Sequence, residues 1–253
     1  NKNLKVAHCD NTACTSATTS TLDSVGDVGD QTSITIGADG LGLISYYDDT
    51  NTALKVAHCD NTNCTSATKT TLDSAGNVGE YTSITIGADG LGLISYRDVT
   101  NKNLKVAHCD NTACTSATTS TIDSDGDVGK YTSITIGADG LGLISYYDNT
   151  NNRIRVAHCS SASCTSATKT SLTGTAGGTP TSTSITIGAD GLGLISMHRA
   201  DIQSLVLAHC SNINCTSYTR SIQTGFSGGD AGGAYSSITI GADGLGLIIH
   251  HND

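Results

Sequence analysis

Two sequence blocks recur five times along the 253-residue chain, at a spacing of about fifty residues. The first reads LKVAHCD or a close variant and begins at Leu4, Leu54, Leu104, Ile154 and Leu205. The second reads SITIGADGLGLI and begins at Ser33, Ser83, Ser133, Ser184 and Ser237. Such a fixed period is typical of repeat architectures, in which each unit buries its apolar face against the next. Because the five units leave no room for another domain, the sequence predicts one domain over residues 1–253.

Each unit contains four segments with the alternating pattern of β-strands. In the second unit, Asp89-Gly90 supplies the positive φ angles of a tight hairpin turn between the first two segments. The predicted strands of that unit run from Ser83 to Gly87, Leu91 to Tyr96, Leu104 to Cys109 and about Ser116 to Ile122. The sequence therefore predicts an all-β protein built from four-stranded antiparallel meanders.

The ends of the chain fall within a unit, since Asn1 aligns with Asn51 and Asp253 aligns with Asp49. Residues 1 to about 23 supply the last two strands of a unit, and residues from 237 to about 251 supply the first two. Pairing these halves removes exposed strand edges. We therefore predict a five-bladed β-propeller whose ring is closed by the N-terminal and C-terminal strands. A β-solenoid and a β-sandwich are the alternatives.

The chain is acidic, with 23 acidic and 13 basic side chains and a formal net charge of −10. A surface of this sign repels phosphate backbones and anionic lipid head groups, which argues against nucleic-acid and membrane partners. No apolar run is long enough to span a bilayer. The start at Asn1 without Met is consistent with an upstream segment that was removed, or with a longer chain.

The ten cysteines form five pairs, one per unit: Cys9 and Cys14, Cys59 and Cys64, Cys109 and Cys114, Cys159 and Cys164, Cys210 and Cys215. Each pair faces across the hairpin between the third and fourth strands, within disulfide reach. The alternative is zinc with His8 as a further ligand, but no fourth ligand recurs and His8 alternates to the other face. We predict five disulfides, no metal, and a secreted or cell-surface location.

The segment SITIGADGLGLISYYDDTNTALKVAHC, from Ser33 to Cys59, resembles a repeat of secreted bacterial proteins whose usual form is S-I-A-L-D-x-x-G-x-P-x-I-S-Y-Y-D followed by L-K-Y-A. The likeness recurs across the whole chain. It implies a β-propeller in an extracellular or cell-surface setting, without one shared reaction. The cysteine pair and the Gly-Leu-Gly stretch depart from the usual form. In repeat number alone, the chain is similar to five-bladed animal lectins of the tachylectin type.

The long links of each unit share one face of the predicted ring, and candidate ligand-binding residues lie there. A tyrosine beside a carboxylate suits a sugar ring, and the neighbouring position varies among the copies. The candidates are Tyr46, Tyr47, Asp48, Tyr96, Arg97, Asp98, Tyr146, Tyr147, Asp148, His198 and His251. The alternative is that these tyrosines cap the blades, with the ring buried and the hydroxyl in water. The acidic stretch from Asp23 to Asp30 offers too few oxygens for a repeated calcium site.

The sequence contains no phosphate loop, nucleophile elbow or metalloprotease motif. Five-bladed propellers include glycoside hydrolases, which need carboxylates of unlike roles at the central channel. The SITIG strands expected to line that channel contain no acid. We therefore expect no enzymatic activity, no catalytic residue and no cofactor.

Two non-catalytic functions fit these features. The first is a binding module for glycans or other surface ligands, lectin-like or adhesive, with weak sites that recur with the repeats. The second is a self-associating structural subunit of a filament, surface layer or larger surface protein. The acidic, Ser- and Thr-rich outer strands suit a solvated surface in both cases, and the first function is favoured.

Overall fold

The computed structural model of the protein describes residues 2–172, 182–199, 204–223 and 235–250. These residues form the β-strands β1 (Leu4–Cys9), β2 (Ala17–Asp23), β3 (Val28–Ile36), β4 (Gly42–Asp48), β5 (Ala53–Cys59), β6 (Ala67–Asp73), β7 (Val78–Ile86), β8 (Gly92–Asp98), β9 (Asn103–Cys109), β10 (Ala117–Asp123), β11 (Val128–Ile136), β12 (Gly142–Asp148), β13 (Arg153–Cys159), β14 (Ala167–Ser171), β15 (Thr183–Ile187), β16 (Gly193–Arg199), β17 (Ser204–Cys210), β18 (Tyr218–Gln223), β19 (Ser236–Ile240) and β20 (Gly246–His250).

Four sheets contain four antiparallel strands each, in chain order. We call them blade 1 (β3 to β6), blade 2 (β7 to β10), blade 3 (β11 to β14) and blade 4 (β15 to β18). Two further sheets are hairpins of two strands, the N-terminal hairpin β1–β2 and the C-terminal hairpin β19–β20. The predicted four-stranded meander is confirmed in the complete blades. In the described part of the chain, no helix has the length and apolar character needed to cross a bilayer.

Apolar side chains on both faces of each blade fill the space between neighbouring blades. One such cluster combines Leu43 and Val56 of blade 1 with Ile84, Ile94 and other residues of blade 2, all buried. A sheet that is apolar on both faces needs a partner on each side, which is the arrangement of blades around an axis. The blades are also linked at their first strands, where Ile84 N donates a 3.1 Å hydrogen bond to Ser33 Oγ of the preceding blade. This link recurs from Ile134 to Ser83, from Ile185 to Ser133 and from Ile238 to Ser184.

The predicted pairing between the terminal strands is not present in the structure. Strand β1 is hydrogen-bonded to β2, and β20 is hydrogen-bonded to β19, without a sheet that joins the two hairpins. Apolar side chains on the two sides of this seam are correspondingly exposed. Ile34 is 59% exposed where its repeat equivalent Ile84 is 5% exposed, and Leu247 is 63% exposed where Leu43 is fully buried. Closure of the ring therefore stays a prediction.

Candidate functional site

The candidate tyrosines Tyr46, Tyr96 and Tyr146 lie in the core, with no exposed ring face. Their hydroxyls are not in water either, because each donates to a buried aspartate of the preceding unit. The bonds are Tyr46 Oη to Asp23 (2.8 Å), Tyr96 Oη to Asp73 (2.7 Å) and Tyr146 Oη to Asp123 (2.7 Å). Burial, followed by the bond to Asp23, raises the pKa of Tyr46. The expectation of an aromatic platform, and that of a wet hydroxyl, are both corrected: these residues join blades.

The paired aspartates have a local structural role. Asp48 accepts hydrogen bonds of 2.9 Å from the backbone and the side-chain amide of Asn51, which closes the turn between the second and third strands. This is the side-chain turn that Asp commonly forms with backbone two or three residues ahead. Asp98 and Asp148 repeat it with Asn101 and Asn151. All three aspartates are buried, so their carboxylates offer no accessible surface for a sugar.

The variable position beside the tyrosines is also buried in the described copies. Tyr47 donates to Asn77 (2.9 Å), Arg97 donates to Asp127 (2.8 Å), and Tyr147 donates to Asn152 (2.7 Å). The His198 ring stacks on His250 with 6.1 Å between centroids, and burial lowers the pKa of His198. His251 lies outside the described residues. The residue type at this position therefore varies together with its hydrogen-bond partner in a nearby loop or turn. In the described copies, these side chains form no exposed surface for a ligand.

The first strands of all five repeats instead line one cavity of about 430 Å³. Each repeat contributes three residues in or directly before its first strand, and the five triplets are Gln31 to Ser33, Tyr81 to Ser83, Tyr131 to Ser133, Ser182 to Ser184, and Tyr235 to Ser237. Residues from both sides of the seam, Gln31 and Tyr235 among them, share this cavity. We expected the SITIG strands to line a central channel. In the structure, the serine that begins each SITIG segment and the two residues before it line the cavity.

In blades 1, 2 and 3, a β-bulge aims the leading residue of the triplet. In blade 2, Glu80 pairs with Arg97 and Ser83 pairs with Ser95, so Tyr81 and Thr82 together oppose the single residue Tyr96. The extra residue places Tyr81 in the left-handed region, with φ of 55°. Bulges re-aim side chains and are enriched beside functional sites, and a bulky residue with positive φ is uncommon.

The same backbone conformation occurs at Gln31 and Tyr131, with φ of 52° and 54°. Gly79, two residues before the bulge of blade 2, has φ of 104°, and a Cβ there would lie 2.7 Å from the Leu54 backbone. The glycine therefore lets the strand enter against blade 1 before it bulges into the cavity. Because of the bulge, the first strand begins at Val78, five residues before the predicted Ser83.

Three tyrosines and a glutamine surround the mouth of the cavity. Tyr81 and Tyr131 meet edge to face, with 4.7 Å between ring centroids, and Tyr235 is 70% exposed. Gln31 accepts a hydrogen bond through Oε1 from the backbone of Tyr81, which leaves its amide nitrogen as a donor. Burial and then the neighbouring Tyr131 raise the pKa of Tyr81 to about 12, so its hydroxyl stays protonated at neutral pH. Half-buried rings beside neutral hydroxyl and amide groups are suited to a sugar.

The sequence contained one signal for this site, the aromatic residue two positions before SITIG in three of the five copies. Strand alternation could not reveal its direction, since the bulge reverses the expected side. The threonines of the triplets have a structural task as well. Thr82 Oγ1 donates to Ser45 Oγ of blade 1 (2.8 Å), and Thr183 Oγ1 donates to Ser145 Oγ of blade 3 (2.9 Å). The cavity wall is thus held together by the hydroxyls that form it.

The five predicted disulfides are present, Cys9–Cys14, Cys59–Cys64, Cys109–Cys114, Cys159–Cys164 and Cys210–Cys215. Their thiolates are therefore not available to zinc. In the four complete blades, the histidine before the first cysteine contacts the aspartate of the inner hairpin turn, and in blade 1 His58 Nε2 lies 2.8 Å from Asp39 Oδ2. Among the described residues, no group of three or more His, Cys, Asp or Glu side chains is placed to hold a metal ion. Five disulfides indicate an oxidising, extracytoplasmic environment.

No protein-family model and no curated protein sequence matches the chain. Solved structures do match its fold. A protein of unknown function from Dyadobacter fermentans has a TM-score of 0.62 and 11% identity over 88% of this chain and 72% of its own. An endo-arabinase from Bacteroides thetaiotaomicron (TM-score 0.55, 12% identity) covers 87% of this chain and 88% of its own, and an α-L-arabinofuranosidase from Lactobacillus brevis (0.53, 12%) covers 87% and 82%. The shared fold is a β-propeller. At these identities the likeness is one of fold.

The comparison corrects the expectation that the protein is not an enzyme. That expectation rests on the absence of acids from the strands around the channel. The arabinase and the arabinofuranosidase are nevertheless enzymes built on the same propeller fold. The fold and the neutral channel strands are therefore no ground for excluding catalysis. The solenoid and sandwich alternatives are set aside by the same comparison.

Proposed function

We propose that this protein is a secreted or cell-surface carbohydrate-binding protein whose glycan lies in the cavity shared by the five first strands. The observation that supports this most directly is the β-bulge that turns Tyr81 and Tyr131 into the cavity. Backbone in the left-handed region is costly for a tyrosine, and it persists where the surrounding structure enforces it, often at functional sites. Aromatic rings beside neutral hydrogen-bonding groups are the usual means of holding a sugar.

The fold comparison supports the same class of ligand. The arabinase and the arabinofuranosidase are named for activities on carbohydrates, and each matches most of this chain in fold. The five disulfides agree with an extracytoplasmic protein that meets glycans outside the cell.

We also propose that residues 1–253 form a single closed ring in which β20 pairs with β1. The repeat supports this pairing, because β20 corresponds to β4 and β1 corresponds to β5, and β4 pairs with β5 in blade 1. Both sides of the seam retain the residues that make the four existing links between first strands. Among the described residues, Ser237 Oγ as acceptor and Ile34 N as donor are the pair for which this link is not formed. Residues on both sides already line one cavity.

Binding is tested by titration of the protein with an array of oligosaccharides, with product analysis after long incubation to detect cleavage. Tyr81→Gln and Tyr131→Gln are the informative variants, because Gln31 occupies the same position with the same backbone conformation in blade 1. Each should weaken binding by roughly 3- to 10-fold, the value of one aromatic contact. Thr121→Ala, at an exposed position on the outer strand of blade 2, is the matched control and should bind normally. Absence of binding to every glycan in the array would refute the proposal.

A further inference from the structure

The residues that line the cavity carry no charged side chain. In the described part of the chain, the lining consists of serine, threonine, tyrosine and glutamine from all five repeats. Of these, tyrosine alone can ionise, and the pKa of Tyr81 is raised to about 12. A ligand in this cavity therefore meets hydroxyl and amide groups and aromatic rings, without a cation to pair with an anionic substituent.

Basic side chains described near the mouth are already engaged. Lys2 Nζ lies 2.7 Å from Asp30 Oδ2, and Arg97 donates to Asp127 Oδ1 at 2.8 Å. Lys130 donates to Asn149 Oδ1 at 3.3 Å. A ligand that recruited one of these cations would compete with its present partner, and the unpaired Nε of Arg97 is buried.

Acidic side chains directly precede the cavity residues in two blades, Asp30 before Gln31 and Glu80 before Tyr81. The charge of Glu80 reaches the cavity, since it raises the pKa of Tyr81 and precedes the opposing influence of Arg97 among the causes of that shift. The formal net charge of the whole chain is also negative, at −10. An anion taken from water into a partly enclosed, uncharged cavity loses hydration without a counter-charge, and here it also meets repulsion.

We infer that the cavity selects uncharged glycans and rejects glycans that carry uronate, sulfate or phosphate groups. This inference rests on the proposed function, and it adds the ligand class. Neutral hydroxyl donors and acceptors satisfy a neutral sugar fully, whereas a carboxylate on the same sugar would remain unpaired. Affinity for the neutral ligand should also be insensitive to salt, because no ion pair forms.

The test compares each oligosaccharide with its own oxidised form. Cellotetraose, maltotetraose and β-1,3-galactotetraose are titrated beside the same compounds with the C6 hydroxyls converted to carboxylates. The neutral form that binds should bind at least about tenfold more tightly than its carboxylated form. Its affinity should be unchanged between about 50 and 500 mM salt.

A charge-gain pair of variants tests the cause. Gln31→Lys places a cation in the cavity, in a left-handed conformation that this chain already gives to Lys102, with φ of 61°. The Gln31→Lys variant should bind the carboxylated glycan more tightly than the parent does, and its preference for the neutral glycan should be smaller. Thr121→Lys makes the same change of net charge on the outer strand and should leave the preference unchanged. Tyr235→Lys, at an exposed position of the mouth, is the second cavity variant in case Gln31→Lys fails to fold.

The outcomes separate the two proposals. If the parent protein binds a carboxylated glycan as tightly as the neutral one, or more tightly, the inference is overturned and the carbohydrate-binding proposal stands. If Thr121→Lys shifts the preference as much as the cavity variants do, general charge and not the cavity sets the selectivity, and the inference is again overturned. If no glycan binds at all, the proposed function itself fails.

Discussion

Asp73, at the end of the outer strand of blade 1, accepts a 2.7 Å hydrogen bond from the Tyr96 hydroxyl of blade 2, and both side chains are buried. Lys105 of blade 2 pairs with the same carboxylate. The arrangement recurs between the N-terminal hairpin and blade 1, and between blades 2 and 3. We call it the polar staple, and its other copies are Asp23, Tyr46 and Lys55, and Asp123, Tyr146 and Arg155.

Blade 4 carries an apolar version of the staple. Met197 replaces the tyrosine, Val206 replaces the cation and Thr173, outside the described residues, replaces the aspartate. Met197 and Val206 are fully buried in one cluster with residues of blade 3. The chain thus contains two solutions to the same interface, one polar and one apolar.

The first prediction exchanges one solution for the other. Asp123→Thr alone should destabilise the protein by about 3–5 kcal/mol, because it removes the carboxylate nearest to the buried Arg155 and the partner of Lys169. Arg155 would keep only the more distant Asp125, at 3.6 Å, and Asp148, at 3.8 Å. The triple variant with Tyr146→Met and Arg155→Val should recover most of that loss, since a matched apolar set removes the unpaired charge. Chemical denaturation of the parent and both variants measures this. A triple variant less stable than the single one would show that the apolar set does not fit this interface.

The second prediction concerns acid. Burial alone would raise the pKa of Asp23, but hydrogen bonds from Lys55 and Tyr46 outweigh it and leave the pKa below its ordinary value. The pKa of Asp73 is lowered in the same way by Lys105 and Tyr96. A carboxylate with a depressed folded-state pKa stabilises the fold above its unfolded pKa, and that contribution is lost as the pH falls through the folded value.

Stability should therefore be level above about pH 5 and should decline below about pH 4. The corresponding exchange at the staple of Asp73, which is Asp73→Thr with Tyr96→Met and Lys105→Val, should decline less steeply than the parent, because it removes a carboxylate whose pKa is lowered in the folded protein. Melting temperatures recorded from pH 7 to pH 2 provide the comparison. Equal acid sensitivity in the two proteins would place the titrating groups elsewhere, for example at the pairs of His58 with Asp39 and His108 with Asp89.

The third prediction concerns the disulfide of blade 2. A Cβ at Gly92 would lie 2.8 Å from Cys109 Sγ and 2.9 Å from Leu43 of blade 1. Gly92→Ala should therefore cost about 1–3 kcal/mol through overpacking. Cys109→Ala with Cys114→Ala should cost about 2 kcal/mol, the chain-entropy value for so short a loop. Combined, the three changes should cost less than their sum, because removal of the sulfur relieves the clash. Strict additivity would contradict this coupling.

The fourth prediction concerns ring closure. In the register of the complete blades, Ser45 faces Val56, so Ile249 should face Val6. Val6→Cys with Ile249→Cys should form a sixth disulfide within one chain, detected as a monomer of altered mobility on a non-reducing gel. Ala7→Cys with Ile249→Cys is the register control and should remain unlinked. Disulfide-linked dimers or longer ladders would instead indicate that the hairpins pair between chains.

Features that depend on neighbouring residues could be predicted from the amino-acid sequence. The fifty-residue period, the strand alternation and the Asp-Gly turns specify a four-stranded meander within each unit. Each disulfide joins cysteines five positions apart across one hairpin, so Cys59–Cys64 could be assigned without knowing how the blades meet. Even the two departures from the usual repeat form belong together, because Gly42 leaves the room that Cys59 Sγ occupies.

Contacts between residues of different blades could be identified only in the folded protein. Strand alternation assigns Tyr46 to one face of its strand, but it does not show whether that face is buried. Tyr46 is buried because the preceding unit, including Asp23, packs against that face. The bulge at Tyr81 likewise depends on docking of blade 2 against blade 1, and no local pattern encodes its direction. Links such as Ile84 N to Ser33 Oγ join residues 51 positions apart. The sequence limits which such contacts are compatible with the repeat, whereas packing of the assembled blades selects among them and so places the cavity.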